Sequence, residues 1–158
     1  MKLIPIKCRH YGAGPGSVHA LVDDVDFERV SKHSWNLHGG TYARTRMKGK
    51  WVLMHRFILQ LPDGIHTDHK NGLGLDNQRQ NIRPCNRSQN MCNRKMHKNN
   101  TSGLKGVRRR KGQRGWEARI QINKTPVHLG FFTSKIHARI AYDAAARVLH
   151  GEFARPNK

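Results

Sequence analysis

The chain has 158 residues, with 30 Lys and Arg against 10 Asp and Glu, a formal charge of +20. This length holds one or two small domains rather than a large enzyme core, and no stretch approaches the run of about 18 apolar residues that a membrane-spanning helix needs. The three cysteines (Cys8, Cys85, Cys92) make no even disulfide set, and Met1–Pro5 has no apolar leader, so a reducing, cytoplasmic setting is expected.

In chain order, residues 11–17 read as a turn-rich loop and 18–22 as a strand followed by an Asp-rich turn. Phe27 to His33 fits a short helix capped by Asp26. Trp35–His38, Gly39-Gly40 and Thr41–Arg44 read as a hairpin, and Lys50–Met54 as a further strand after the Lys48-Gly49 turn. His55 to Leu61 fits a short helix ended by Pro62-Asp63-Gly64. Residues 65–97 are densely polar, and 98–105 carry few large apolar side chains and read as a linker. Residues 106–110 read as a basic strand and 111–115 as a turn. Trp116, Ala118, Ile120 and Ile122 alternate with Glu117, Arg119 and Gln121, and a third strand spans 127–132. From Ser134, a good N-cap, the period turns helical until Gly151, with Ile136, Ile140, Ala141, Ala144, Ala145 and Val148 expected as its core stripe.

The charge bears on function. A surplus of this size repels itself in a compact chain, and nucleic acid is the polyanion that ordinarily offsets it. Residues 1–66 carry 10 basic and 5 acidic side chains, and residues 67–158 carry 20 and 5, so the second part is expected to supply most phosphate contacts.

Within residues 65–97, Asp68 stands beside His69 in a short extended segment, and a Gly, Asn and Asp-rich loop follows from Asn71 to Asn77. A second strand fits Asn81 to Pro84, and Asn86-Arg87-Ser88-Gln89 has capping-box spacing, which places Asn90 in the first turn of a helix. Strand, loop, strand and helix make a ββα unit. Its side chains match the needs of phosphodiester cleavage. Asp68 offers an anionic oxygen and Asn90 a neutral one, a pair that suits Mg²⁺ or Mn²⁺ with open positions for water and phosphate. His69 can take a proton from water near neutral pH. Neighbours on a strand face opposite sides, so base and carboxylate can work from different faces.

These residues resemble a known family. Asp68-His69-Lys70-Asn71-Gly72, Leu75-Asp76-Asn77, Asn81-Ile82-Arg83, Ser88-Gln89-Asn90 and Asn93-Arg94 resemble the signature of HNH homing endonucleases, with 12 residues from His69 to Asn81 and 9 from Asn81 to Asn90. Met54-His55-Arg56-Phe57-Ile58 resembles the His-Arg segment that precedes the motif in phage and intron members. The resemblance implies a ββα-metal nuclease with His69 as general base and Asp68 and Asn90 as metal ligands. It implies that Asn81 orients the loop and the histidine; a purely structural role for Asn81 stays open beside it. For His55 and Arg56, packing or phosphate steering is expected rather than catalysis.

The C-terminal part has its own resemblance. Gly106–Arg110, Trp116–Ile120, Leu129–Phe132 and Ala138–Ala145 are similar to the plant ethylene-response-factor DNA-binding domain, which implies a sheet that enters the major groove with a helix behind it. The resemblance carries over Arg108, Arg110, Trp116 and Arg119 as DNA contacts, with Gln121 and His128 beside them on the strands and Arg94 and Lys95 as basic residues nearer the nuclease motif. His128 stands where that family has tryptophan, so its target sequence is not transferred.

The expected architecture is therefore α+β: a β-rich N-terminal region leading into a ββα-metal nuclease module (1–97, core about 65–97), a linker (98–105), and a three-stranded antiparallel sheet packed on one helix (106–158). The expected function is a site-specific, homing-type DNA endonuclease that needs Mg²⁺ or Mn²⁺. Structural zinc, a small-molecule cofactor and a membrane partner are not expected. The partner is double-stranded DNA, bound by a monomer or a DNA-induced dimer, in the cytoplasm of a bacterial host if the gene is phage-borne. Two alternatives stay open: a non-catalytic DNA-binding regulator that retains the fold, and a nuclease acting on RNA or single strands.

Overall fold

In the computed structural model, residues 1–8, 18–110 and 112–157 are described, so the expected loop at 11–17 and Lys111 of the expected 111–115 turn lie outside the described residues. The chain is α+β and divides into two compact units, Met1–Asn86 and Arg87–Lys158.

The first unit is built on a sheet in the order β2-β1-β3-β4-β5, from strands β1 (Lys2–Lys7), β2 (Val18–Val22), β3 (Trp35–His38), β4 (Tyr42–Met47) and β5 (Lys50–Leu53). The sequence reading has no counterpart to β1, because Pro5 interrupts its alternation of buried Ile4 and Ile6 with exposed neighbours. Pro5 is tolerated because β1 pairs with β3 only at Ile6 and Lys7, beyond the missing N–H. The β4–β5 hairpin turns on Lys48 and Gly49, both at positive φ, as a two-residue turn with matching twist requires.

Helices α1 (Asp24–Ser31) and α2 (Met54–Leu59) pack on this sheet. Ile4, Ile6, Ala20, Val22, Val30, Trp35, Met54 and Ile58 form the core. Helix α1 starts earlier than its expected cap at Asp26: Asp23 is the N-cap residue, and Asp26 lies buried inside the helix. There Asp26 accepts from Arg29 (2.9 Å) and from Arg79 Nε and Nη2 (2.7 and 2.8 Å). Burial raises its pKa, but the hydrogen bonds and charges of Arg79 and Arg29 outweigh that and hold the carboxyl below its ordinary value.

Strands β6 (His66–His69) and β7 (Ile82–Cys85) complete the first unit as an antiparallel pair. Helix α3 (Arg87–Cys92) follows in sequence and belongs to the second unit. That unit holds a three-stranded sheet, β10-β9-β8, from β8 (Val107–Arg108), β9 (Trp116–Ile122) and β10 (Thr125–Phe132). Helix α4 (Lys135–His150) packs against it. Residues 98–105 are knitted into this unit: Asn100 Oδ1 accepts from Gly103 N (2.7 Å), and Asn157 Oδ1 accepts from Lys105 N (2.6 Å).

Ser134 caps α4 by accepting from Ile136 N at 3.2 Å, and Gly151 ends it, as the sequence implies. The expected core stripe is corrected in part. Ile136, Ile140 and Val148 are 66%, 56% and 82% exposed and Ala144 is exposed too, whereas Ala141 and Ala145 pack partly buried beside the buried face of Ala138, Tyr142 and Ala146. Both faces of the helix carry aliphatic side chains, so periodicity is ambiguous; the alanine face wins because small side chains let the helix approach Val107 and Ala118 closely. Gly106 shows how tight that approach is. It has φ +73°, and a Cβ there would fall 2.0 Å from the Tyr142 ring. Gly106→Ala is expected to destabilise the second unit by roughly 2–3 kcal/mol, read as a drop in its denaturation midpoint.

Candidate functional site

The β6–β7 pair places Asp68 opposite Arg83 and His69 opposite Ile82. Adjacent strand residues face opposite sides, and the two side chains enter different surroundings. Asp68 and Arg83 are both buried, and Arg83 Nε and Nη2 donate to Asp68 Oδ2 at 2.9 and 2.7 Å.

His69 is 6% exposed and meets two other rings. Its ring centroid is 5.0 Å from that of His55, edge to face, and 5.7 Å from that of Tyr42; Tyr42 also lies 5.6 Å from His55. Burial lowers the His69 pKa, while Asn77, Asp68 and Asp76 oppose the shift, so the neutral imidazole is favoured near pH 7. The Asn77 side chain is wholly buried and is the largest influence opposing the burial shift of His69. His55, 5% exposed, is pushed down to about 3 by burial first and then by the charges of His69 and Arg56.

The loop between the strands is tied down at several points. Asn81 accepts from Asn71 N through Oδ1 (3.0 Å) and donates through Nδ2 to Asp76 O (2.7 Å), bridging both ends of the loop. Asn81 O also accepts from Lys70 N at 2.9 Å, next to His69. The far end docks on the edge of β2, where Leu21 N donates to Leu75 O and Asn77 N donates to Leu21 O, each at 2.8 Å. Asp23 accepts from Arg79 N at 2.7 Å. Gly74 lies so close to the hairpin that a Cβ there would meet Thr41 O at 2.6 Å and the Tyr42 ring at 2.7 Å. Arg56 donates to Ile65 O and to Pro62 O (2.8 Å), fixing the approach to β6.

The chain is 32% identical over 153 residues to an uncharacterized HNH endonuclease of Acanthamoeba polyphaga mimivirus, covering 93% of this chain and 78% of that protein. The chain belongs to the HNH endonuclease family. No family model matches it, and no solved structure matches it.

Within this member of the family, Asp68, His69 and Asn81 lie together in the first unit, whereas Asn90 on α3, Arg94 and Lys95 belong to the second. The Asp68 carboxylate suits a hard divalent ion, which has to share it with Arg83. Among the described residues no group of three or more His, Cys, Asp and Glu side chains is placed to hold a metal. Cys85, at the end of β7, has its thiol pushed up to about 11, chiefly by burial, which favours the protonated thiol at neutral pH.

The remaining expected DNA contacts lie in the second unit. Arg108 and Glu117 are cross-strand partners, and Arg108 Nε donates to Glu117 Oε2 at 2.6 Å. His128 Nδ1 lies 3.3 Å from the other Glu117 oxygen. The Arg108 hydrogen bond holds the Glu117 carboxyl below its ordinary value. Arg119 and Gln121 are exposed on β9, with Gln121 Nε2 donating to Lys124 O at 3.1 Å. A register shift between His128 and Gly130 brings His128 and Phe131 together, with ring centroids 4.8 Å apart. The Arg110 guanidinium lies 6.0 Å from the Phe131 ring. Trp116 packs partly against the core, with Arg109 and Lys135 over its ring at 5.1 and 5.3 Å.

Three features were missed by sequence reasoning. The sequence marks the His-Arg segment around His55 but carries no sign that His55 lies against His69. Arg83 carries no sequence mark as the partner of Asp68 except its place in a paired strand. The docking of Leu75–Asn77 on β2 is made by backbone groups and has no side-chain signature.

Proposed function

We propose that this protein is a site-specific DNA endonuclease of homing type that hydrolyses phosphodiester bonds with His69 as general base. The observation that carries the reading is the buried His69, held between Tyr42 and His55 on one side of β6 with Asp68 on the other, in a chain of this family with a charge of +20. His69 takes a proton from the attacking water. The water oxygen bonds to phosphorus as the bond from phosphorus to the leaving sugar oxygen breaks, and that oxygen takes up a proton from solvent. Asn81 positions the loop and, through it, the strand that carries His69. A divalent ion, Mg²⁺ or Mn²⁺, held by Asp68 would offset charge on the phosphate. Assignment of Asn90 as its second protein oxygen rests on the sequence pattern alone. The Arg-bearing sheet of the second unit, with Arg108, Trp116, Arg119, Gln121 and His128, and Arg110 just beyond β8, supplies contacts to duplex DNA, aided by Arg94 and Lys95.

A second reading is a DNA-binding regulator that retains the fold without cleaving. The buried Arg83–Asp68 pair is the observation that favours it, because it already neutralises the carboxylate. Random-sequence pools of duplex DNA, single-stranded DNA and RNA, incubated with Mg²⁺, separate the alternatives. Selective breakage of duplex molecules is the expected result. Duplex retention without breakage would favour the regulator, and breakage confined to RNA or single strands would overturn the DNA assignment.

A further inference from the structure

No Asp or Glu occurs between Glu28 and Asp63, and the β4–β5 hairpin in this interval carries Arg44, Arg46, Lys48 and Lys50. Cross-strand pairs point to the same face of a sheet, and the register pairs Arg44 with Leu53 and Arg46 with Trp51. Strand alternation puts Tyr42 on that face too, because Ala43 and Thr45 between these residues are buried. Trp51 is 53% exposed, although an aromatic side chain of that size ordinarily finds cover. The Arg44 guanidinium stacks 4.1 Å from the Trp51 ring centroid, so a fixed cation stands against a ring that stays half exposed. Arg46 donates through Nε to Gly49 O at 3.3 Å, which leaves the outer nitrogens of its guanidinium for another acceptor. At the base of the same face, the Tyr42 ring lies 5.7 Å from that of His69.

We infer that the β4–β5 hairpin is a second DNA-binding element, carried by the unit that holds His69, in which Arg44, Arg46 and Trp51 on one face, with Lys48 and Lys50 at the hairpin tip, grip the duplex beside the phosphate to be cut. The inference rests on the proposed reading of the chain as a DNA endonuclease. Its chemistry is independent of the second unit's sheet. The basic side chains meet consecutive phosphates, and Trp51 with its stacked Arg44 gives a rigid surface for sugar and base edges. Tyr42 links this grip to the histidine pair, so that holding the backbone places a phosphate near His69. The carboxylate-free stretch excludes an acidic residue that would repel the strand.

The test uses the full chain with Arg46, Lys48 and Lys50 all changed to Gln, and separately with Trp51→Phe. All four side chains are exposed, and the folding of each variant is checked by thermal unfolding. Binding of duplex DNA is followed over a salt series. The triple variant is expected to bind about tenfold or more weakly at physiological salt, with the slope of log affinity on log salt shallower by roughly 2–3. Duplex DNA is expected to quench tryptophan fluorescence in the wild type, and Trp51→Phe is expected to lose the share of that quenching that Trp51 supplies. Unchanged affinity, slope and quenching in folded variants, with a wild type that binds and cuts duplex DNA, overturns the hairpin while leaving the endonuclease reading in place. A wild type that neither binds nor cuts duplex DNA overturns the reading itself. A loss confined to RNA binding overturns the choice of duplex DNA as occupant.

Discussion

His69→Ala is expected to lower DNA cleavage by about a hundredfold to ten-thousandfold while leaving duplex affinity within a few-fold of wild type. The asymmetry comes from where His69 sits. It is buried between Tyr42 and His55 and is not part of the basic surfaces proposed to hold phosphate, so its removal takes away proton transfer rather than charge. Burial favours the neutral imidazole, the form a general base needs. Single-turnover cleavage and equilibrium binding on the same duplex separate the two effects. A parallel loss of binding and cleavage would mean that His69 holds the β6–β7 loop together rather than acting on water.

His55 carries the second large effect, which falls on stability. Its folded pKa of about 3 lies far below the ordinary imidazole value of 6.5, first because of burial. The unfolded chain therefore binds the proton that the folded chain refuses. Its stabilising effect is fully present above about pH 6.5 and is lost progressively as pH falls toward 3. Between about pH 7.5 and about pH 4.5 this single group is expected to remove roughly 2–3 kcal/mol. His55→Phe keeps an aromatic ring against His69 and cannot be protonated, so its acid sensitivity should be smaller by that amount. Denaturant unfolding at the two pH values, read through the buried Trp35 of the same unit, checks this. An identical loss in wild type and variant would assign the acid sensitivity to other groups.

Much of the second unit was legible in the sequence because its signals are local. Strict alternation from Trp116 to Ile122 gave β9, and Ser134 and Gly151 bounded α4. The core face of α4 was not legible, since Ile136, Ile140 and Val148 compete with Ala138 and Ala146 on hydrophobicity and only the tertiary fit decides. In the first unit, the strands around Asp68 and Ile82 follow from local pattern. The surroundings of His69 do not. His55, Tyr42 and the β2 edge reach it from elements distant in sequence, through ring packing and backbone hydrogen bonds that leave no spacing rule behind. Arg83 illustrates the same limit. In the sequence it is one more basic residue in a basic chain, and only the strand register sets it against Asp68.

Supercoiled plasmid carrying a library of candidate target sequence, incubated with the purified chain in Mg²⁺ or in EDTA, tests the central claim most directly. The account predicts nicked or linear product in Mg²⁺ and none in EDTA. Plasmid that is bound and shifted but stays covalently intact in Mg²⁺ would contradict it.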